Sequence, residues 1–337
     1  MEANIRALYN ENILEEACRR YGIAPDQLRQ LDGFESFVIE FWRAGGDFIL
    51  RIGHSQRRSE ALIQGEVDWI NYLAAHGASV SRAILSQTGK LVEKIDDGQG
   101  GHFLATAFVK APGASAWEQN IWGDDLFLRY GKLIGRLHAL SRDYIVSNPA
   151  WQRPAWDDPL MLDVEAWLPA SQTIVLDRFH RLMDTLHMLP KDRGSYGLIH
   201  QDAHGGNFFV DDQGTITLFD FDDCVHSWYA NDIAIVLFYA VTNVDNPDAF
   251  GQRFLEHFLR GYQRENQLDP QWLATIPYFL KLREIDLYAV IHRSFDVHNL
   301  RDPWVAGFMK DRGTRIEQNV PCVNIDFDRL LLELGQF

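Results

Sequence analysis

Cysteine is scarce. There are three in 337 residues, Cys18, Cys224 and Cys322, far apart and without a CxxC pair. That excludes a disulfide framework and a zinc-knuckle site, and it makes a reducing compartment the default. Long apolar runs are absent too. The N-terminal MEANIRALYNENILEEACRRYG is charged and helical in pattern, without a signal-peptide core, and no later run approaches a membrane span. The expectation is a soluble, cytoplasmic protein with no membrane partner. Positive charge is the third shortage: Lys+Arg number 32 against 47 Asp+Glu, a formal charge of −15. A nucleic-acid partner needs a basic face and is excluded. The acidity serves solubility, and it allows a cationic small substrate or a metal–nucleotide. Internal repeats and low-complexity segments are missing, and nothing here sets an oligomeric state.

The chain that remains is an ordinary globular one, 46% hydrophobic and 23% charged, and its length suits two lobes. Residues 4–21 have the period of one amphipathic helix. FESFVIEFW and GDFILRIG read as strands around the turn Ala44-Gly45-Gly46. Residues 59–76 read as a helix capped by Ser59 and ended by Gly77, with Leu62, Glu66, Trp69 and Leu73 on one face. Strands are expected at 82–86, 90–95 and 102–109. After Ala111-Pro112-Gly113 the composition changes. Helices are expected at 124–140, 171–189, 229–243, 248–264 and 271–300, with 141–170 irregular. The division is therefore residues 1–110, a sheet with one long helix, and 111–337, mostly helical around a short hairpin.

The chemistry concentrates in LIHQDAHGGNFFVDDQGTITLFDFDD, Leu198 to Asp223. NFFV and TITLFDF read as strands flanking the turn Asp211-Asp212-Gln213-Gly214, so Asp211 and Asp212 are solvated turn residues. With 211–214 as the loop, Val210 faces Thr215 and Asn207 faces Leu218. Alternation then puts Asn207 and Asp220 on one face, at diagonal positions. An amide oxygen and a carboxylate so placed can hold a hard cation, or form a polar edge pair with no metal, which the hairpin alone favours. The loop before them, His200-Gln201-Asp202-Ala203-His204-Gly205-Gly206-Asn207, lies between apolar runs, where catalytic groups concentrate. Asp202 there can act as a general base if it reaches a substrate hydroxyl.

The stretch HQDAHGGNFFVDDQGTITLFDFDD resembles the H-G-D-x-H-x-x-N … D-F-[DE]-D signature of the aminoglycoside phosphotransferase and choline kinase family. The resemblance implies an α+β, bilobal protein-kinase-like fold, with an antiparallel-sheet nucleotide lobe and a helical catalytic and acceptor lobe. It implies ATP and Mg2+ as cofactors, with Asp202 as catalytic base and Asn207 and Asp220 as metal ligands. His200 and His204 would shape the loop, and Asp232 would brace it. Gln201 stands where glycine is usual, and Gly205 where proline is usual. GDFILRIG followed by LIQGEVDWINYL resembles the family's strand and helix pair, with Arg51 in place of the phosphate-binding lysine and Glu66 as its partner. A carboxylate on a face shared with Trp69 and Leu73 needs such a cation. Ser36, in the glycine-poor LDGFESFVIEF, stands for a nucleotide-loop asparagine. Backbone groups of about Ala107–Val109 would pair with adenine. GRLHAL at 135–140 also matches, and His138 there reads as a core histidine.

The expected activity is transfer of the ATP γ-phosphoryl group to a hydroxyl of a small molecule, an amino sugar, amino alcohol or similar. Asp222 and Asp223 could face a cationic group on it. Trp151, Trp156, Trp167, Glu284 and Asp286 are candidates for its pocket. Three rivals stand beside this: a Ser/Thr protein kinase on the same fold, a non-catalytic nucleotide-binding relative, and a metal-dependent hydrolase using His200-x-Asp202-x-His204.

Overall fold

A computed structural model describes residues 3–242 and 244–334. The chain forms two compact units. The first holds residues up to Gly113, plus Tyr144–Arg153 and Thr217–Asp222; the second holds Ala114–Asp143, Pro154–Ile216 and the chain from Asp223 onward.

In the first unit, helices α1 (Ala3–Leu8) and α2 (Glu11–Tyr21) precede strands β1 (Leu28–Leu31), β2 (Phe37–Arg43) and β3 (Gly46–His54). Helix α3 (Glu60–Ala75) leads to β4 (Ala83–Ile84), β5 (Val92–Asp96) and β6 (His102–Val109). The strands form one antiparallel sheet in the order β1-β2-β3-β6-β4, with β5 also on β6. The helix expected over 4–21 is two helices. Asn10 breaks it, because its side chain accepts from the amides of Asn12 and Ile13 and starts a new helix. Ser59 caps α3 through the Leu62 amide, and Gly77 leaves it at φ +82.

Two later segments complete this unit. At Gly65 of α3 a Cβ would stand 2.0 Å from the Trp151 carbonyl oxygen, so only glycine allows the 144–153 segment to lie so close. Segment 217–222 is held by backbone bonds, Ser81 N to Leu218 O at 2.9 Å and Leu218 N to Ser79 O at 3.1 Å. Phe221 is fully buried, edge-on to Trp69.

The second unit is mostly helical: α4 (Asp124–Ser141), the short α5 (Val164–Trp167) and α6 (Thr173–His187) come first. Strands β7 (Tyr196–Ile199), β8 (Phe208–Val210), β9 (Ile216–Leu218) and β10 (Val225–Trp228) follow, the chain passing into the first unit within β9. Then come α7 (Tyr229–Val241), α8 (Pro247–Tyr262), α9 (Ile276–Ser294), α10 (Pro303–Met309), α11 (Arg312–Glu317) and α12 (Phe327–Glu333). Helix α9 ends at Ser294, short of the expected 300. Helices α4 and α8 touch backbone to backbone: a Cβ on Gly131 or Gly261 would lie 1.8 Å from the carbonyl oxygen of Phe258 or Leu128. This pair and α7, buried on nearly every residue, form the core under the loop 200–207.

Candidate active site

The first unit carries a cluster of arginines and acids. Arg51 lies in the middle of the sheet, in register with Val38 and Thr106. Its Nη2 donates to Glu66 Oε2 at 2.5 Å, and its Nη1 is 3.6 Å from Asp220 Oδ1. Glu66 is fully buried on α3. Burial opposes charge on Arg51, but Glu66, Asp222 and Asp220 outweigh it, so the guanidinium is held firmly protonated. Asp220 sits at φ +63, outside the strand, with 55% of its side chain exposed. Asp222, two residues on, is paired with Arg57, which also pairs with Glu35 of the β1–β2 loop, while Arg58 Nε lies 3.5 Å away. Burial works against this carboxylate, yet Arg57, Arg58 and Arg51 hold it well below the usual carboxylate range.

Asp222 is thus a clamped structural carboxylate, which corrects its assignment to the acceptor. Ser36 lies in the same loop as Glu35, and its carbonyl oxygen would be 2.2 Å from a Cβ on Gly33. Ala107 is in register with Leu50 on one side and Ile84 on the other, and the Val109 amide donates to Arg82 O at 3.0 Å. That amide is therefore already committed.

The second unit carries the loop. Asp232, at the start of α7, accepts from the His200 amide at 3.0 Å and the Gln201 amide at 2.9 Å. Burial disfavours its charge, but hydrogen bonds from His138 and the His200 amide keep it below the ordinary range. His138, pushed down by burial, bridges Asp232 Oδ2 (3.1 Å) and Tyr262 Oη (2.8 Å) as a core histidine. The Tyr130 hydroxyl donates to the Ala203 carbonyl. Gln201 is at φ +69, which explains why glycine suits this position, and its Oε1 accepts from Asn231 Nδ2 at 3.0 Å. At Gly205 a side chain would meet the Trp117 and Trp122 rings at 2.8 and 2.9 Å.

Asp202 and Asn207 are brought together. Asn207 Nδ2 donates to the Asp202 carbonyl at 2.9 Å and to its Oδ2 at 3.1 Å. With the amide nitrogen so used, the amide oxygen is the atom left to ligate a cation. His204 Nε2 is 3.5 Å from Asp202 Oδ2, but burial, with Arg283 and His200 nearby, pushes this imidazole down to about 3, so it is neutral. Both loop histidines spend Nδ1 on loop amides, of Asp202 at 3.3 Å and of Gly206 at 2.9 Å. This explains their shaping role and weakens the hydrolase reading. Among the described residues no group of three or more His, Cys, Asp or Glu could hold a metal by itself. Asp220 and Asn207 each offer a hard oxygen donor of the kind magnesium takes.

The hairpin register differs from expectation. Asp211 N donates to Thr215 O at 3.1 Å and Gly214 N to Asp211 O at 2.9 Å, with Gly214 at φ +78. Thr215 therefore closes on Asp211 and not on Val210, a bulge that shifts the pairing by one residue. A one-residue shift reverses every face, so the alternation argument linking Asn207 to Asp220 fails. Of the acceptor candidates, Trp156 is core and Glu284 is fully buried between Lys281 and Arg312. Asp286 is linked to Asp202 through a residue that no motif pointed to. Arg283 of α9 donates to Asp202 Oδ1 at 2.6 Å, Asp286 Oδ2 at 2.9 Å and Tyr239 Oη at 2.7 Å.

The sequence profile of the phosphotransferase enzyme family matches residues 27–275. The chain belongs to the phosphotransferase enzyme family. Within reach of this family lies an amicoumacin kinase of Bacillus subtilis (strain 168), 40% identical over 333 residues and 97% of both chains. A solved structure of amicoumacin kinase hAmiN in complex with AMP-PNP, Ca2+ and Ami is 39% identical, with TM-score 0.92 over 98% of this chain and 100% of that one. A microcompartment-associated aminopropanol kinase shares the fold at TM-score 0.74 and 22% identity, over 97% of this chain and 99% of that one. The kinase-like α+β fold of this phosphotransferase is thereby established. No helix among its described residues is long and apolar enough to cross a membrane.

Proposed function

We propose that this phosphotransferase transfers the γ-phosphoryl group of ATP to a hydroxyl of amicoumacin or a compound of its class, in the cytoplasm. The observation that carries the reading is the loop: Asp202 and Asn207 are hydrogen-bonded to each other, and the preceding His200 and Gln201 amides are anchored on Asp232, in a chain 40% identical to an amicoumacin kinase. In this reading the acceptor oxygen forms a bond to the γ-phosphorus while the bond from phosphorus to the β,γ-bridging oxygen breaks, leaving ADP. The hydroxyl proton passes to Asp202 and then to solvent.

Arg51, fixed by Glu66, positions the phosphates, and Asp220 and Asn207 are the residues that would hold magnesium. The metal supplies charge neutralisation on the phosphate oxygens. Ser36 and the backbone of Ala107–Val109 are assigned to the nucleotide. The negative charge of the chain suits an acceptor that carries an amine as well as a hydroxyl. The test is incubation with magnesium-ATP and amicoumacin. One ADP and one monophosphorylated product per turnover, read by mass spectrometry, are expected; ADP released without a modified acceptor would sink the assignment of amicoumacin.

A further inference from the structure

Asp202 is placed among more partners than a free base needs. Its Oδ1 accepts from Arg283 at 2.6 Å and its Oδ2 from Asn207 at 3.1 Å. The side chain is 21% open to solvent. Arg283 is itself immobilised. It is 12% exposed, it stands over the Tyr239 ring at 5.3 Å, and its fork spans Asp202 and Asp286. Burial, together with the nearby charge of Asp223, raises Asp286, and Arg283 opposes this. One arginine thus sets the orientation of two carboxylates that would otherwise repel.

We propose that Arg283 is a positioning residue for phosphoryl transfer, holding the Asp202 carboxylate in the orientation that presents it to the acceptor hydroxyl. The inference rests on Asp202 being the base. Arg283 touches neither nucleotide nor acceptor in this role; it acts through Asp202. A misplacement of about 1 Å at a reacting group costs on the order of a hundredfold in rate, and that is the effect assigned to Arg283.

The experiment compares Arg283→Met with Arg283→Lys, and with the double variant Arg283→Met/Asp286→Leu, which removes both charges of the buried pair and so protects the fold. ADP release from magnesium-ATP is followed with amicoumacin, and with water alone as acceptor. The expected result is a kcat about a hundredfold lower in Arg283→Met and in the double variant, with KM for magnesium-ATP within about twofold, and partial recovery of kcat by added guanidinium. Arg283→Lys falls between. A folded double variant with normal kcat overturns the proposal, and so does a kcat loss that guanidinium leaves unchanged while KM for magnesium-ATP rises in step. Asp202→Asn separates the two claims. If it transfers at the normal rate, the base assignment has failed. If it is inactive while the Arg283 variants are normal, only the role of Arg283 has failed.

Discussion

The two units offset their acids in opposite ways. In the first, Arg51, Arg57 and Arg58 face Glu35, Glu66, Asp220 and Asp222, and the pairings overlap. Only Asp220 stands mostly in solvent. In the second, Arg283 bridges Asp202 and Asp286. The first arrangement is redundant and leaves one exposed carboxylate among fixed cations, which suits a metal–triphosphate. The second shares one guanidinium between two carboxylates. Redundancy should make the first unit tolerant of losing one arginine, and the lack of it should make the second brittle.

The largest effect should come from the exposed acid. Magnesium-ATP at about a hundred times its Kd should stabilise the native protein by about 2.7 kcal/mol, seen as a rise in melting temperature. Asp220→Ala should abolish that rise; an unchanged rise would remove Asp220 from the metal site. Next is Asp202→Asn. It should keep the magnesium-ATP shift and lower kcat by about a thousandfold, within the range for a lost general base.

The third prediction sets one unit against the other. Arg283→Gln leaves two carboxylates without their cation, and breaking such a pair costs about 3–5 kcal/mol. Arg57→Gln leaves Asp222 with Arg58 and Arg51, so its loss should be less than half as large. Chemical denaturation of the two variants measures this, and equal losses would refute the contrast.

The smallest effect is the response to acid. In the second unit burial lowers His138 below 6.5, so the unfolded chain binds a proton there that the native chain does not. Stability should fall as pH drops below about 6.5. In the first unit Glu93 and Glu40 are lowered from 4.5 despite burial, by hydrogen bonds and charges from Arg20, Ser86 and Thr88 for Glu93 and from Lys110 and Arg29 for Glu40. Their contribution is complete above 4.5 and is lost only as pH falls below it. Between pH 6.5 and 4.5, hydrogen exchange should therefore quicken in α4 and α7 before β2 and β3. The reverse order would contradict the assignment.

Much of this was legible in the sequence because it is local. The spacing of Asp202, Asn207 and Asp220 carries a motif, and Glu66 shares a helical face with Trp69 and Leu73, all three fully buried. Arg283 was not legible. It bonds to Asp202 across 81 residues, from a helix whose polar pattern has no code. The hairpin register failed for a different reason. Gly214 and Asp220 both take left-handed backbone angles, and a strand alternation rule has no place for either. The split between α1 and α2 was a missed signal, since Asn10 before Glu11 is an ordinary helix start.

The return of Thr217–Asp222 to the first unit has a consequence for dissecting the gene. A fragment ending at Gly113 would lack the Leu218 backbone partner of Ser79 and Ser81, the Phe221 ring against Trp69, and the Trp151 carbonyl beside Gly65. It would also lack Asp220. Cutting the chain at its most obvious seam therefore yields no independent nucleotide module. A split version that works has to carry residues 144–153 and 217–222 back to the N-terminal piece, by circular permutation or by supplying them as a complementing peptide.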